Sequence, residues 1–125
     1  MSTISAIFRF DDAPRTIEFL ERAFGFRRGP EYADDDGRLV HAELWHGDSC
    51  VMVGTRGVGE AGGLPNGTVY IAVDDVDAHH ARAVEAGAEV VRPLADQDYG
   101  SREYSARDPE GNEWSFGTYR PQPPA

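Results

Sequence analysis

The chain has no lysine: all twelve of its basic residues are arginines. Schiff-base chemistry and lysine-dependent phosphate loops are therefore excluded. A single cysteine, Cys50, leaves no internal disulfide and fits a reducing compartment. No apolar run approaches the roughly 20 residues that a membrane helix needs, and the N-terminus lacks a basic segment followed by an apolar stretch. A cytoplasmic protein with no membrane partner is the expectation. Basic charge is in short supply, with 22 acidic residues and a net charge of −10. Nucleic acid and anionic membranes, which need a basic face, are poor partners for such a surface. The acidic balance has two readings: ordinary solubility, or a long-range field that concentrates cationic ligands.

What the sequence does contain, it contains twice. Residues 4–26 run from a strand (Ile4-Ser-Ala-Ile-Phe-Arg-Phe10) through Asp11-Asp12 into an amphipathic helix ending at Phe26. Residues 68–90 repeat the order, from Thr68-Val-Tyr-Ile-Ala-Val73 through Asp74-Asp75 to Glu85-Ala-Gly-Ala-Glu-Val90. Strand-like segments closed by a hairpin follow in each unit, at 39–53 and 101–118. With 125 residues, the two units share one domain. Modules of about 3–55 and 66–119 are joined by a glycine-rich stretch, 56–65, that reads equally as a linker or as a lid. Such a duplication builds a pseudo-two-fold cavity and lets equivalent positions be compared.

Local signals fill in the units. Asp12 offers a helix-capping carboxylate and Pro14 sits in the first turn; Ile17, Leu20 and Phe24 form a buried stripe, and Gly25 terminates it. Tyr32–Arg38 reads as a solvated acidic turn, since the ligand set of a calcium loop is incomplete. After the second helix, a short strand should run to about Arg92, with Pro93 in a loop. Asp108-Pro-Glu-Gly-Asn112 has the composition of a hairpin turn. His79 and His80 read as surface residues, Cys50 as an inert packing partner of Met52, and the proline-rich tail from Pro121 as disordered.

In each strand one alternating face is apolar and should pack on a helix. The opposite faces carry Ser5/Ile7/Arg9, His41/Glu43/Trp45, Cys50/Met52, Thr68/Tyr70, Glu103/Ser105 and Glu113/Ser115. Aromatic, carboxylate and hydroxyl groups together are what a small-molecule cavity requires. The densest cluster is His41, Glu43 and Trp45, at alternate positions of one strand. Glu43 could meet a cation or act as a base, His41 could shuttle a proton, and Trp45 could stack on a ligand. The bland alternative is a polar structural pair capped by a packed tryptophan. Matching the hairpins on Asp48 and Asp108 pairs Glu43 with Glu103, and Tyr70 completes the candidate set.

The repeated order, with Asp12–Phe26, Val73-Asp-Asp-Val-Asp77, Glu85-Ala-Gly-Ala88 and Asp108–Asn112, resembles the vicinal oxygen chelate superfamily of glyoxalases, bleomycin-resistance proteins and dioxygenases. The resemblance spans about residues 3–119. It implies an α+β fold of two tandem βαβββ modules, whose curled mixed sheets surround a cavity, and a homodimer. Metal-dependent members take their ligands from four pseudo-symmetric places, which here fall on Ser5, Met52, Thr68 and Ser115. None is a usual ligand for a divalent metal. The expectation is a metal-independent binding protein without a cofactor, for a cationic aromatic drug or metabolite, with His41, Glu43, Trp45, Tyr70 and Glu103 as its contacts. The alternative is a glyoxalase-type lyase, isomerase or dioxygenase, working through a divalent metal or through acid-base chemistry of Glu43 and His41. Whether turnover occurs stays open at this level.

Overall fold

The computed structural model describes residues 4–58 and 68–124. The chain divides into two units at the Gly67/Thr68 boundary. Unit 1 holds β1 (Ile7–Phe10), α1 (Ala13–Phe24), β2 (Arg27–Ala33), β3 (Leu39–His46) and β4 (Ser49–Thr55). Unit 2 holds β5 (Thr68–Ala72), α2 (Val76–Glu85), β6 (Glu89–Asp96), β7 (Arg102–Arg107) and β8 (Glu113–Gly117). Each unit is a four-stranded open sheet with one helix, in the orders β1-β4-β3-β2 and β5-β8-β7-β6. The first and last strands of each unit pair in parallel and the remaining pairs are antiparallel. The result is the tandem βαβββ α+β architecture expected from the sequence.

The two helices start alike because their caps are alike. Asp12 Oδ1 accepts from the Arg15 amide at 3.3 Å, and Asp75 Oδ1 accepts from the Ala78 amide at 3.0 Å. Gly25 ends α1 in the left-handed region at φ 82°, returning its N–H to the Glu21 carbonyl. α1 then buries Ile17, Leu20, Ala23 and Phe24, and the sheet supplies Phe8, Phe10, Ala42, Leu44 and Val53. In unit 2, Tyr104, Ala106, Trp114 and Phe116 are fully buried. Ile4, expected to open the first strand, is 84% exposed; the strand begins only at Ile7 and its apolar pair is Phe8 and Phe10.

Three expectations need correction. Tyr32 and Ala33, read as part of the acidic turn, belong to a strand, Arg27–Ala33, whose residues are mostly exposed and include Pro30. β6 continues through Pro93 to Asp96. Both are edge strands with a register shift at the proline, where no second neighbour needs its missing N–H. Finally, His79 and His80 are half-buried, not surface residues. The His79 ring lies 4.3 Å from that of Phe116, and His80 packs edge-on against Tyr104 at 4.9 Å. His79 Nδ1 lies 2.6 Å from the Tyr104 hydroxyl, whose pKa burial pushes far upward. Of the glycine-rich stretch, Arg56–Val58 belong to unit 1, with the Arg56 amide donating to the Phe10 carbonyl at 2.8 Å. The linker-or-lid reading of 59–65 lies outside the described residues.

Candidate functional site

In unit 1, the face turned away from α1 is a lattice set by the ladders. Ile7 pairs with Met52, which pairs with Glu43; Cys50 pairs with Trp45, which pairs with Arg27. Arg9 pairs with Gly54, and His41 with Tyr32. His41, Glu43 and Trp45 thus share one face of β3, as alternation requires. Trp45 Nε1 donates to Glu43 Oε1 at 3.0 Å. The indole lies over Gly29 of β2, where a Cβ would come within 2.7 Å of Nε1 and 3.3 Å of the Glu43 Cβ. The His41 ring sits 6.1 Å from Tyr32. Gly29→Ala should therefore displace the indole and break its bond to Glu43. Steady-state quenching of Trp45 by acrylamide, read in a Trp114→Phe background, should rise in that variant if the packing is as described, and an unchanged quenching constant would contradict it.

Unit 2 presents a hydrogen-bonded chain on its corresponding face. Thr68 Oγ1 is 3.3 Å from Ser115 Oγ, and Ser115 Oγ is 2.7 Å from Ser105 Oγ. Arg92 bridges onward: Nε donates to Ser105 Oγ at 3.2 Å, and Nη2 donates to Glu103 Oε1 at 3.2 Å. The Tyr99 hydroxyl donates to the same Glu103 oxygen at 2.6 Å. Glu103 is only 4% exposed. Burial alone would raise its pKa, but hydrogen bonds from Tyr99, Ser101 and Arg92, with the Arg92 charge, leave it below the ordinary glutamate value. Burial, opposed by the bond with Ser101, raises the Tyr70 phenol, which donates to the Tyr119 carbonyl at 2.7 Å.

The five sequence-derived residues therefore form two groups: His41, Glu43 and Trp45 on unit 1, Tyr70 and Glu103 on unit 2. The ladders also revise which carboxylates are equivalent. Glu43 faces Met52, itself paired with Ile7; Ser105 faces Ser115, itself paired with Tyr70. Ser105 is thus the counterpart of Glu43, and Glu103 that of His41. Matching Asp48 to Asp108 slipped by two positions, because Asp48 is the third residue after Trp45 whereas Asp108 is the first after Arg107, the counterpart of Trp45. An even slip preserves the face, so Glu103 still lies on the expected side.

Sequence reasoning missed Arg92, Tyr99 and Ser101, all near the bulged edge strand or the turn that follows it. It placed Arg9 on the correct face without giving it a role. The four places implied by the family for a metal carry three hydroxyls and a thioether. Thr68 Oγ1 is already engaged with the Glu113 carbonyl at 2.9 Å and with Ser115, and the Ser5 hydroxyl lies 3.7 Å from the Cys50 sulfur. Neutral hydroxyls bonded to one another do not fit a divalent cation, which takes imidazole, thiolate or carboxylate donors. Among the described residues, no three His, Cys, Asp or Glu side chains converge in another such arrangement.

Comparison with known proteins matches the chain to the family described as Glyoxalase/Bleomycin resistance protein/Dioxygenase superfamily, over residues 4–116. An uncharacterized protein of Mycobacterium bovis is 37% identical over 117 residues, covering 86% of this chain and 76% of its own length. Among solved structures, TioX from Micromonospora sp. ML1 is 33% identical with a TM-score of 0.79, covering 98% of this chain and 100% of that one. Glyoxalase I from Zea mays shares the fold, with 23% identity and a TM-score of 0.76, over 95% of this chain and 45% of the maize chain.

Proposed function

Because the chain belongs to the Glyoxalase/Bleomycin resistance protein/Dioxygenase superfamily, we propose that it is a metal-independent small-molecule-binding protein. It sequesters a ligand with a cationic aromatic part, acting as a cytoplasmic homodimer. The observation that carries this reading is the Glu43–Trp45 pair. The indole N–H occupies one carboxylate oxygen at 3.0 Å and Gly29 makes room for the ring. A carboxylate beside an aromatic face is suited to an organic cation, by ion pairing and by cation–π attraction. Glu103 serves differently, since its charge is matched by Arg92 at 3.2 Å. Cation recognition therefore rests on Glu43, with Tyr70 and Glu103 shaping the unit 2 face and His41 bordering the unit 1 site. The hydroxyls and thioether at the family's metal positions support metal independence through their donor chemistry.

Calorimetric titration with planar aryl-ammonium and aryl-guanidinium compounds, each against its neutral isostere, tests the proposal. Wild type should favour the cationic member, and Glu43→Gln should weaken it by roughly 10- to 100-fold, the range for losing a hydrogen bond to a charged group. Glutamine retains an acceptor for Trp45, so the circular dichroism spectrum should not change. Equal affinity for cation and isostere, or an unaffected Glu43→Gln variant, would refute the cationic assignment. A ligand that is consumed by wild type and merely bound by Glu43→Gln would make the protein an enzyme using Glu43 as its base.

A further inference from the structure

Acidic residues outnumber arginines by 22 to 12, and among the described residues at least eight arginines pair with Asp or Glu. Arg9 does not. It stands on the same face of unit 1 as Glu43, where its Nη1 donates to the Val40 carbonyl at 3.1 Å. Its Nε is buried with no hydrogen-bond partner among the described residues. Arg15 and Arg27 also lack ion pairs among the described residues, but both are exposed. A buried N–H with no acceptor carries the full desolvation penalty of the group. In so acidic a chain, a carboxylate placed opposite this guanidinium would have removed that penalty, and among the described residues none is there.

The backbone accommodates the cation. Gly54, paired with Arg9 across β1 and β4, leaves the space in which the guanidinium lies: a Cβ there would collide with Nη1 and stand 2.5 Å from the Val40 oxygen. Gly117 is its counterpart in unit 2, and the space above it is taken by the Glu103 side chain and the Tyr70 hydroxyl. At equivalent positions the two sheets thus hold opposite charges. Glu103 has its partners; among the described residues Arg9 has only a neutral carbonyl.

We propose that Arg9, lying over Gly54 on the face that also carries His41, receives an oxyanion of the carboxylate or phosphate class carried by the unit 1 ligand. The planar guanidinium matches the two oxygens of such a group. The inference rests on reading this face as a binding site, and it makes the ligand amphoteric. Two strand spacings and one ladder step separate the backbones of Arg9 and Glu43 by about 12 Å. The acidic and cationic groups of the ligand must therefore sit well apart.

Arginine Nε–H signals in a nitrogen-15 correlation spectrum test this directly, with the Arg9 signal assigned by its disappearance in Arg9→Lys. Sodium benzoate and inorganic phosphate are titrated separately, with sodium chloride at matched ionic strength as control. The expected result is a saturable shift of the Arg9 signal with benzoate, phosphate or both, beyond the chloride response. Response to benzoate alone assigns a carboxylate, and response to phosphate alone a phosphoryl group. If neither shifts the Arg9 signal beyond chloride, the proposal is overturned. In a thermal melt, Arg9→Met should lose any stabilisation by these anions and melt no lower than wild type without them. A large drop in its melting temperature would show Arg9 to be a structural strut, and would also overturn the proposal. The aryl-cation titrations need no anion, so failure at Glu43 and failure at Arg9 are separately visible.

Discussion

Asp108→Ala is expected to destabilise unit 2 by about 3 kcal/mol and to lower its urea midpoint by roughly 1–2 M. Asp108 begins the β7–β8 connection and is 5% exposed. Its Oδ1 accepts the backbone amides of Glu110 at 2.9 Å and Asn112 at 3.0 Å, and its Oδ2 accepts Trp114 Nε1 at 3.0 Å. Trp114 is fully buried. Truncation leaves that indole N–H without its acceptor inside the core and releases the turn at the same time. Each hydrogen bond to a charged acceptor is worth about 1.5–3 kcal/mol, but bonds sharing one carboxylate do not add. Asp108→Asn should cost less, because an amide retains one acceptor oxygen while its NH2 meets either the indole donor or the turn amides. Trp114 fluorescence during urea unfolding, in a Trp45→Phe background, reads the effect from the affected tryptophan. Losses below about 0.5 kcal/mol in both variants, the range of ordinary surface substitutions, would show that the turn closes without this carboxylate.

The same residue marks where sequence reading succeeded and where it slipped. Asp108–Asn112 announced a turn by composition, and Asp12 and Asp75 announced two helix starts, because capping and turn chemistry are local. Alternation separated Ala42, Leu44 and Val53 from Glu43 and Met52, because burial on one side of a sheet imposes a period of two. Arg27–Ala33 escaped: an edge strand with most of its residues exposed has no apolar alternation, and Pro30 and Pro93 are acceptable only because of the edge position. That position is a property of topology, not of local sequence. His79 and His80 were legible in retrospect, since Val76, His79, His80 and Ala83 have the spacing of one helical stripe; their acidic neighbours masked it. The Glu43–Glu103 pairing failed for another local reason. Asp48 and Asp108 look alike, but Asp48 is the third residue after the ladder residue Trp45 and Asp108 the first after its counterpart Arg107. The Arg92–Glu103–Tyr99 cluster could not be foreseen without the bulge that brings Arg92 opposite Ser105.

That cluster should make acid stability depend on one carboxylate. The folded pKa of Glu103 lies below its ordinary value of 4.5, because the bonds from Tyr99, Ser101 and Arg92 outweigh its burial. For a depressed carboxylate, the stabilisation is complete above the unfolded value and is lost as pH falls through the folded one. Glu103→Gln should therefore destabilise the protein by about 1–3 kcal/mol at pH 7, the range for a buried charged hydrogen-bonding group. The lower part of that range is the better expectation, since the Arg92 side chain is 40% exposed and water can solvate what Glu103 leaves. Below the ordinary carboxylate range the difference should shrink, because wild-type Glu103 then protonates and forfeits the same interaction. Urea titrations of both proteins at pH 7 and pH 3 isolate this term, since the other carboxylates cancel in the comparison. A difference that stays constant across the range would mean that Glu103 contributes by shape and not by charge. The unit 2 face would then be held without an internal ion pair, and cation recognition would no longer fall to Glu43 alone.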